Sequence, residues 1–276
     1  MKKVLLITSL IISISFSIFA QNDKPKDPNY TNYYKEIPPI VTDACIITFE
    51  DVVSKMGYCK LKIRIKNTTT DYILFRSTES AFKLPQGNFN CTDKPLVIKP
   101  LDSDFKVLDI KADGKCLVDS FALLIRGIYR FSSTEEVQPT PNFNLPPSAN
   151  TFNNSAFQCT MLNIKKETQE TWVKFDCKYL GDNAGIIDPN KTVVRLETGQ
   201  EFANGRSNMK QVVLFKGETD KFSLFFNVPA TIANMQLANM QIAWKNAFLD
   251  SPMTLYVPQT VSFVIDSAKT QAKNKK

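Results

Sequence analysis

An all-β chain made of two tandem antiparallel β-sandwiches is the fold this sequence predicts, and three observations predict it. Glu170–Tyr179 alternates Val173, Phe175, Cys177 and Tyr179 with Trp172, Lys174, Asp176 and Lys178, the two-residue period of a strand with one buried face. A fainter copy lies earlier, where Cys59, Leu61, Ile63 and Ile65 alternate with Lys60, Lys62, Arg64 and Lys66. Around each copy, short apolar runs separated by turn residues fill a block of about 100 residues without a convincing long helix, the density of strands expected of a sandwich.

In chain order, residues 1–20 have the layout of a secretory signal peptide. Lys2 and Lys3 precede an apolar run from Val4 to Phe19, and Ala20 offers a small residue for cleavage,. The run is short for a membrane span, and no later stretch reaches the roughly 20 apolar residues of a transmembrane helix. The expected location is therefore secreted or periplasmic. Residues 21–42 read as an extended lead-in with Tyr30, Tyr33 and Tyr34 clustered. Residues 43–131 form the first patterned block and 156–266 the second. Between them, 132–155 is rich in Pro, Asn and Ser and reads as a linker,. Residues 267–276 read as a basic disordered tail. Pro229 to Asn239 is a candidate short helical crossover.

The two blocks repeat. Cys45 and Cys159 are 114 residues apart, as are Tyr58 and Trp172, Ile63 and Cys177, and Ile73 and Ile187. Further on the best spacing is 117, matching Phe105 to Phe222, Val107 to Leu224, Ile125 to Ile242 and Phe131 to Phe248. A repeat of this length signals a duplicated domain and not a solenoid.

Charge and cysteine content narrow the function. The net charge of +7 falls to +5 without Lys2 and Lys3, and Lys269, Lys273, Lys275 and Lys276 crowd the last ten residues, so the body carries only +1. That is no basic domain for nucleic acid. Six cysteines behind a leader suggest disulfides,. Cys159 and Cys177 flank the polar turn Lys166 to Thr171 symmetrically, so a hairpin would set them face to face. Cys91 with Cys116 is the local pair in the first block, leaving Cys45 with Cys59; three connectivities are open there.

The leader, the duplicated pattern and the run Trp172 to Pro189, WVKFDCKYLGDNAGIIDP, resemble secreted bacterial proteins with tandem immunoglobulin-like β-sandwich domains. The resemblance implies immunoglobulin-like sandwiches and a binding or scaffolding role, and transfers no site residue. The antibody arrangement of a core Trp between distant cysteines is absent, since Cys177 follows Trp172 by only five residues,.

Histidine is absent. That excludes Ser/His/Asp and Cys/His catalytic sets and a histidine zinc site. Ser80 to Lys83 and Ser103 to Lys106 match S-x-x-K, but residues three apart on a strand face opposite ways. Asp188 and Glu197 are the carboxylates a glycosidase-like pair would draw on. Asp182, Asn183 and Asp188 surround a loop that could offer oxygens to calcium, although Gly181-Asp182-Asn183 and Asp188-Pro189-Asn190 are also ordinary turn formers. No catalytic, cofactor or metal residue is assigned.

Two surface features remain. Lys60, Lys62, Arg64 and Lys66 would project from one strand at about 6–7 Å spacing, facing an anionic polymer or an acidic protein, or guarding an edge. Trp172 has the outward parity of its strand. The expected function is a non-enzymatic binding or assembly module of the cell envelope, with an envelope protein or surface polymer as partner. The other reading is a carbohydrate-binding module or carboxylate-based hydrolase acting on a surface polysaccharide.

Overall fold

The computed structural model describes residues 27, 29–132, 134, 137–206 and 209–275; the leader expected at 1–20 lies outside them. The chain is mostly strand. The first half contributes β1 (Asn32–Tyr33), β2 (Ile40–Val41), β3 (Cys45–Lys55), β4 (Tyr58–Asn67), β5 (Tyr72–Phe75), β6 (Ala81–Leu84), β7 (Gly87–Asn90), β8 (Leu96–Ile98), β9 (Ser103–Lys111), β10 (Ser120–Ile125) and β11 (Ile128–Phe131). The second contributes β12 (Phe143–Leu145), β13 (Thr151–Asn153), β14 (Phe157–Lys166), β15 (Glu170–Tyr179), β16 (Ala184–Ile187), β17 (Thr192–Leu196), β18 (Glu201–Ala203), β19 (Val212–Leu214), β20 (Thr219–Asn227), β21 (Met240–Trp244) and β22 (Phe248–Ser251). The chain ends in β23 (Thr254–Leu255), β24 (Gln259–Val264) and helix α1 (Ser267–Asn274).

All pairings are antiparallel, and the two halves use them alike. The sheet β1-β3-β4-β9 has its counterpart in β13-β14-β15-β20, and β6 and β10 are matched by β17 and β21. The alternation read from the sequence sets the burial: Leu61, Ile63 and Ile65 on β4, and Val173, Phe175, Cys177 and Tyr179 on β15, are fully buried. Each half buries its own core. A third apolar cluster joins them, where Tyr72, Leu74 and Phe131 meet Ala184, Ile186, Phe215 and Leu249. There the Tyr72 and Phe131 rings stack 5.3 Å apart, and the Tyr72 hydroxyl donates to Gln211.

The registers refine the repeat. Ile63 faces Lys106 and Cys177 faces Asp220, so the 114-residue spacing persists through β9 and β20 and does not become 117 there. Leu108, not Phe105, is the counterpart of Phe222: both are buried, whereas Phe105 is 45% exposed. The extra length lies between Asn227 and Met240, a longer connection than the one from Lys111 to Ser120. Its segment Pro229 to Asn239 forms turns instead of the expected helical crossover, and buries Met235.

Connectivity departs most from expectation at the segment boundaries. Of residues 132–155, expected as a linker, 137–155 are built into the second half. Val137 bridges Leu249, β12 pairs with β21, and Phe143, Leu145 and Phe152 are buried in its core. The prolines and asparagines of this stretch mask Phe143 and Leu145, two residues apart, and Phe152 seven residues further on. The matching place in the first half is taken by the end of the chain. Instead of completing the second block as far as 266, β24 pairs with β10 over its whole length, from Ser120–Val264 to Ile125–Gln259, and β23 pairs with β11. Val261 and Phe263 thereby enter the first core. A central strand such as β10 needs backbone partners on both sides; the chain supplies the second one from about 140 residues away.

The tail expected to be disordered is ordered as α1. The Asp266 side chain caps it by accepting from Lys269 N–H, a carboxylate at the positive end of the helix. Thr270 Oγ1 accepts from Tyr33 N–H, and Asn274 and Thr31 exchange hydrogen bonds, so both ends of the described chain are clasped together. No helix among the described residues is long and apolar enough to cross a membrane.

Candidate functional site

The candidate surface is the outer face of the β14-β15-β20 sheet. Trp172 on β15 stands opposite Lys165 on β14 and Phe225 on β20. Their side chains project away from the core by the strand alternation, and both rings are half-buried. Neighbours opposite each other on one face have Cβ atoms about 5 Å apart, and both side chains line one cleft. The loop after β18 reaches the same spot. Asn204 Oδ1 accepts from Phe225 N–H, and Gly205 N–H donates to Phe225 O. A Cβ on Gly205 would lie 3.2 Å from Phe225 Cδ1, so glycine lets the loop lie against the ring. Arg206 then stacks its guanidinium 5.3 Å from the Phe225 centroid, a cation–π contact.

These residues line a shallow cleft of about 460 Å³ together with Lys165, Glu167 and Glu170. Lys165 and Glu167 are paired at 2.5 Å, and this hydrogen bond holds the Lys165 ammonium above its usual range. The result is two apolar ring faces bordered by carboxylate and guanidinium groups. Chemically it suits a ligand with apolar C–H faces and peripheral hydroxyls.

The cationic ladder is less available than its spacing implies. Glu50, opposite Lys62 across the β3–β4 pair, binds Lys62 at 2.7 Å and Arg64 at 2.8 Å. The same two cations lie 4.4 and 5.3 Å over the Phe105 ring. Lys60 and Lys66 stay exposed, but Lys60 stands opposite Asp109. Lys60 and Lys62 also line a cleft of about 760 Å³ whose walls include Lys35 and Lys269 but equally Glu36, Glu50 and Asp51, so its charge is mixed. Arg64 and then Lys62 hold the Glu50 carboxyl down to about 2. A lowered carboxyl contributes stability above its unfolded value near 4.3 and loses it as pH falls toward the folded value. We expect Glu50→Gln to be slightly less stable than wild type in urea at neutral pH, by less than about 1 kcal/mol for so exposed a pair, and equal to it only below about pH 2.

The structure separates the other candidates. Asp188 is buried as the cap of the 3₁₀ turn Pro189–Lys191, accepting from Asn190 and Gln211. Glu197 lies beyond the five-residue strand β17, about 16 Å further along, and accepts from Asn239. The two carboxylates are not brought together. Asp182 is paired with Lys216 at 2.6 Å, and among the described residues no group of three His, Cys, Asp or Glu side chains is placed to hold a metal. Ser80 is buried and donates to Arg126 O, while Lys83 is exposed.

No protein-family model matches the chain, and no curated protein matches it in sequence. The site is therefore read from its own geometry.

Of the cysteines, Cys159 and Cys177 stand directly opposite in register and are disulfide-bonded. Cys45, Cys59, Cys91 and Cys116 are free thiols, so neither pair expected in the first block, Cys91–Cys116 or Cys45–Cys59, is formed. Cys45 faces Asn67 and Cys59 faces Ser54, which puts the two thiols at opposite ends of the hairpin, about 30 Å apart along β3. Cys91 N–H donates to Ser80 O, and burial, then Asp93 and Asp109, push its thiol up to about 12. Phe225 and Arg206 are the site residues the sequence reading missed. Phe225 was legible, since it breaks the inward series Phe222, Leu224, Phe226; Arg206 carried no local signal, because a loop contact places it.

Proposed function

We propose that this chain is a non-enzymatic binding module of the cell envelope, two immunoglobulin-like sandwiches working outside the cytoplasm, and that it holds a surface polysaccharide on the Trp172 face. The observation that carries the reading is the placement of two half-buried aromatic side chains, Trp172 and Phe225, opposite each other on one sheet face and in one cleft with Arg206, Glu167 and Glu170. Sugar rings present apolar C–H faces and hydroxyl edges, and aromatic planes bordered by charged hydrogen-bonding groups match both. The leader-like first 20 residues and the Cys159–Cys177 disulfide support an oxidising compartment. The separation of Asp188 from Glu197 removes the support for a carboxylate hydrolase.

Affinity electrophoresis through gels containing envelope polysaccharide tests this. Wild-type protein should be retarded, and Trp172→Ala or Phe225→Ala should each weaken binding about tenfold, the effect of truncating a central contact. Equal mobility of wild type and both variants in every polysaccharide gel would reject the reading.

A further inference from the structure

We propose that Cys59 and Cys116 form a second disulfide, the covalent staple of the first half, and that Cys45 and Cys91 remain thiols. The two sulfurs belong to segments that backbone hydrogen bonds hold against each other. After β9 the chain folds back over the start of β4: Ala112 N–H donates to Gly57 O at 3.1 Å and Cys116 N–H to Met56 O at 3.3 Å. Both are unbonded thiols in the structure, fully buried in the same core; Cys116 Sγ donates to Ala112 O at 3.5 Å, and the Cys59 amide lies beside the same sulfur. Among the described residues Cys45 and Cys91 have no such neighbour: Cys45 accepts from Thr42, and Cys91 sits near Asp93 and Asp109.

The staple would fix more than its own loop. Two residues beyond Cys116, Val118 O accepts from the Tyr34 hydroxyl at 2.6 Å and from Asn32 Nδ2 at 2.9 Å. The loop is therefore the anchor for the lead-in that runs along β3. The second half has its staple inside the β14–β15 hairpin; the first would have one between β4 and the β9–β10 connection.

The reaction is a thiol–disulfide exchange. Two thiols lose two protons and two electrons, one S–S bond forms, and a disulfide oxidant such as glutathione disulfide or an envelope oxidoreductase is cleaved to two thiols. Burial, and then the neighbouring Cys116, hold the Cys59 thiol well above its usual range, so the bond forms while the chain is folding, before the core closes.

The test uses the full chain, refolded with a glutathione redox buffer, which makes it independent of the compartment assigned above. Alkylation in denaturant followed by intact mass should show two modified cysteines, and peptide mapping should link Cys59 to Cys116. Cys116→Ala should leave a third alkylated thiol and lower Tm by about 10 °C, as expected for opening a loop of this length. If that variant does not fold, the wild-type map still decides. Four alkylated cysteines, or a link from Cys91 to either Cys116 or Cys45, would overturn the proposal.

Discussion

Removal of residues 254–276 unfolds the first half and leaves the core of the second packed. The deleted segment contains β24, which pairs with every residue of β10, and carries Val261 and Phe263 into the core. Phe263 is fully buried, stacked on Phe121 at 4.8 Å and edge-on to Phe49 at 5.4 Å. Phe263→Ala alone should cost about 3–5 kcal/mol. The deletion adds the loss of Val261 and an unpaired edge on β10, which together approach the whole stability of a typical domain, about 5–15 kcal/mol. Hydrogen exchange reads the outcome by region: amides of β4, β9 and β10 lose protection, while those of β15, β20 and β21 keep it. Undiminished protection of β10 in the truncated chain would show that β24 is dispensable.

Gly185→Ala is the second large effect. Tyr179 is fully buried, and its hydroxyl donates to Asp250 at 2.9 Å. Its ring lies flat against the backbone of Gly181 and Gly185, so that a Cβ on either would fall inside the ring's own atoms. The ring cannot move aside, because Phe157 packs against it 5.0 Å away. Overpacking of this kind costs about 3 kcal/mol, and displacing Tyr179 also leaves Asp250 without its donor. Urea unfolding should show the loss, whereas Gly199→Ala, in open space with φ of +88°, tests only backbone strain and should cost about 1 kcal/mol. Equal stability of the two variants would mean that the Tyr179 contact is not what requires glycine at 185.

These two sites show where the sequence was readable. Gly181 and Gly185 are legible as turn residues, but that both serve one ring is visible only when β15 and β16 are in place. The inward series on β4 and β15 follows directly from the alternation of apolar and polar side chains. The pairing of Cys159 with Cys177 follows from a hairpin with a local turn, where register is set by residues close in sequence. Trp172 was legible as outward-facing for the same reason.

Long-range choices were not legible. A strand pattern such as QTVSFV states that one face is buried and does not state against which neighbour, so β24 read as the end of the second block and closes the first instead. Phe143, Leu145 and Phe152 are too sparse among prolines and asparagines to signal strands, and only the open edges of β14 and β21 give them one. Glu50 pairs with Lys62 and Arg64 from the adjacent strand, turning a row of four cations into a mixed-charge face.

By itself the sequence determined the all-β character, the inward and outward faces and one disulfide, because each depends on periodicity or on residues joined by a short turn. Tertiary structure decided which strand completes which half, that the basic end of the chain is a capped helix clasping the lead-in, and that Trp172 shares its surface with Phe225 and Arg206. Those depend on which exposed backbone edge and which uncovered apolar surface each segment meets, and no local pattern encodes the distance between them.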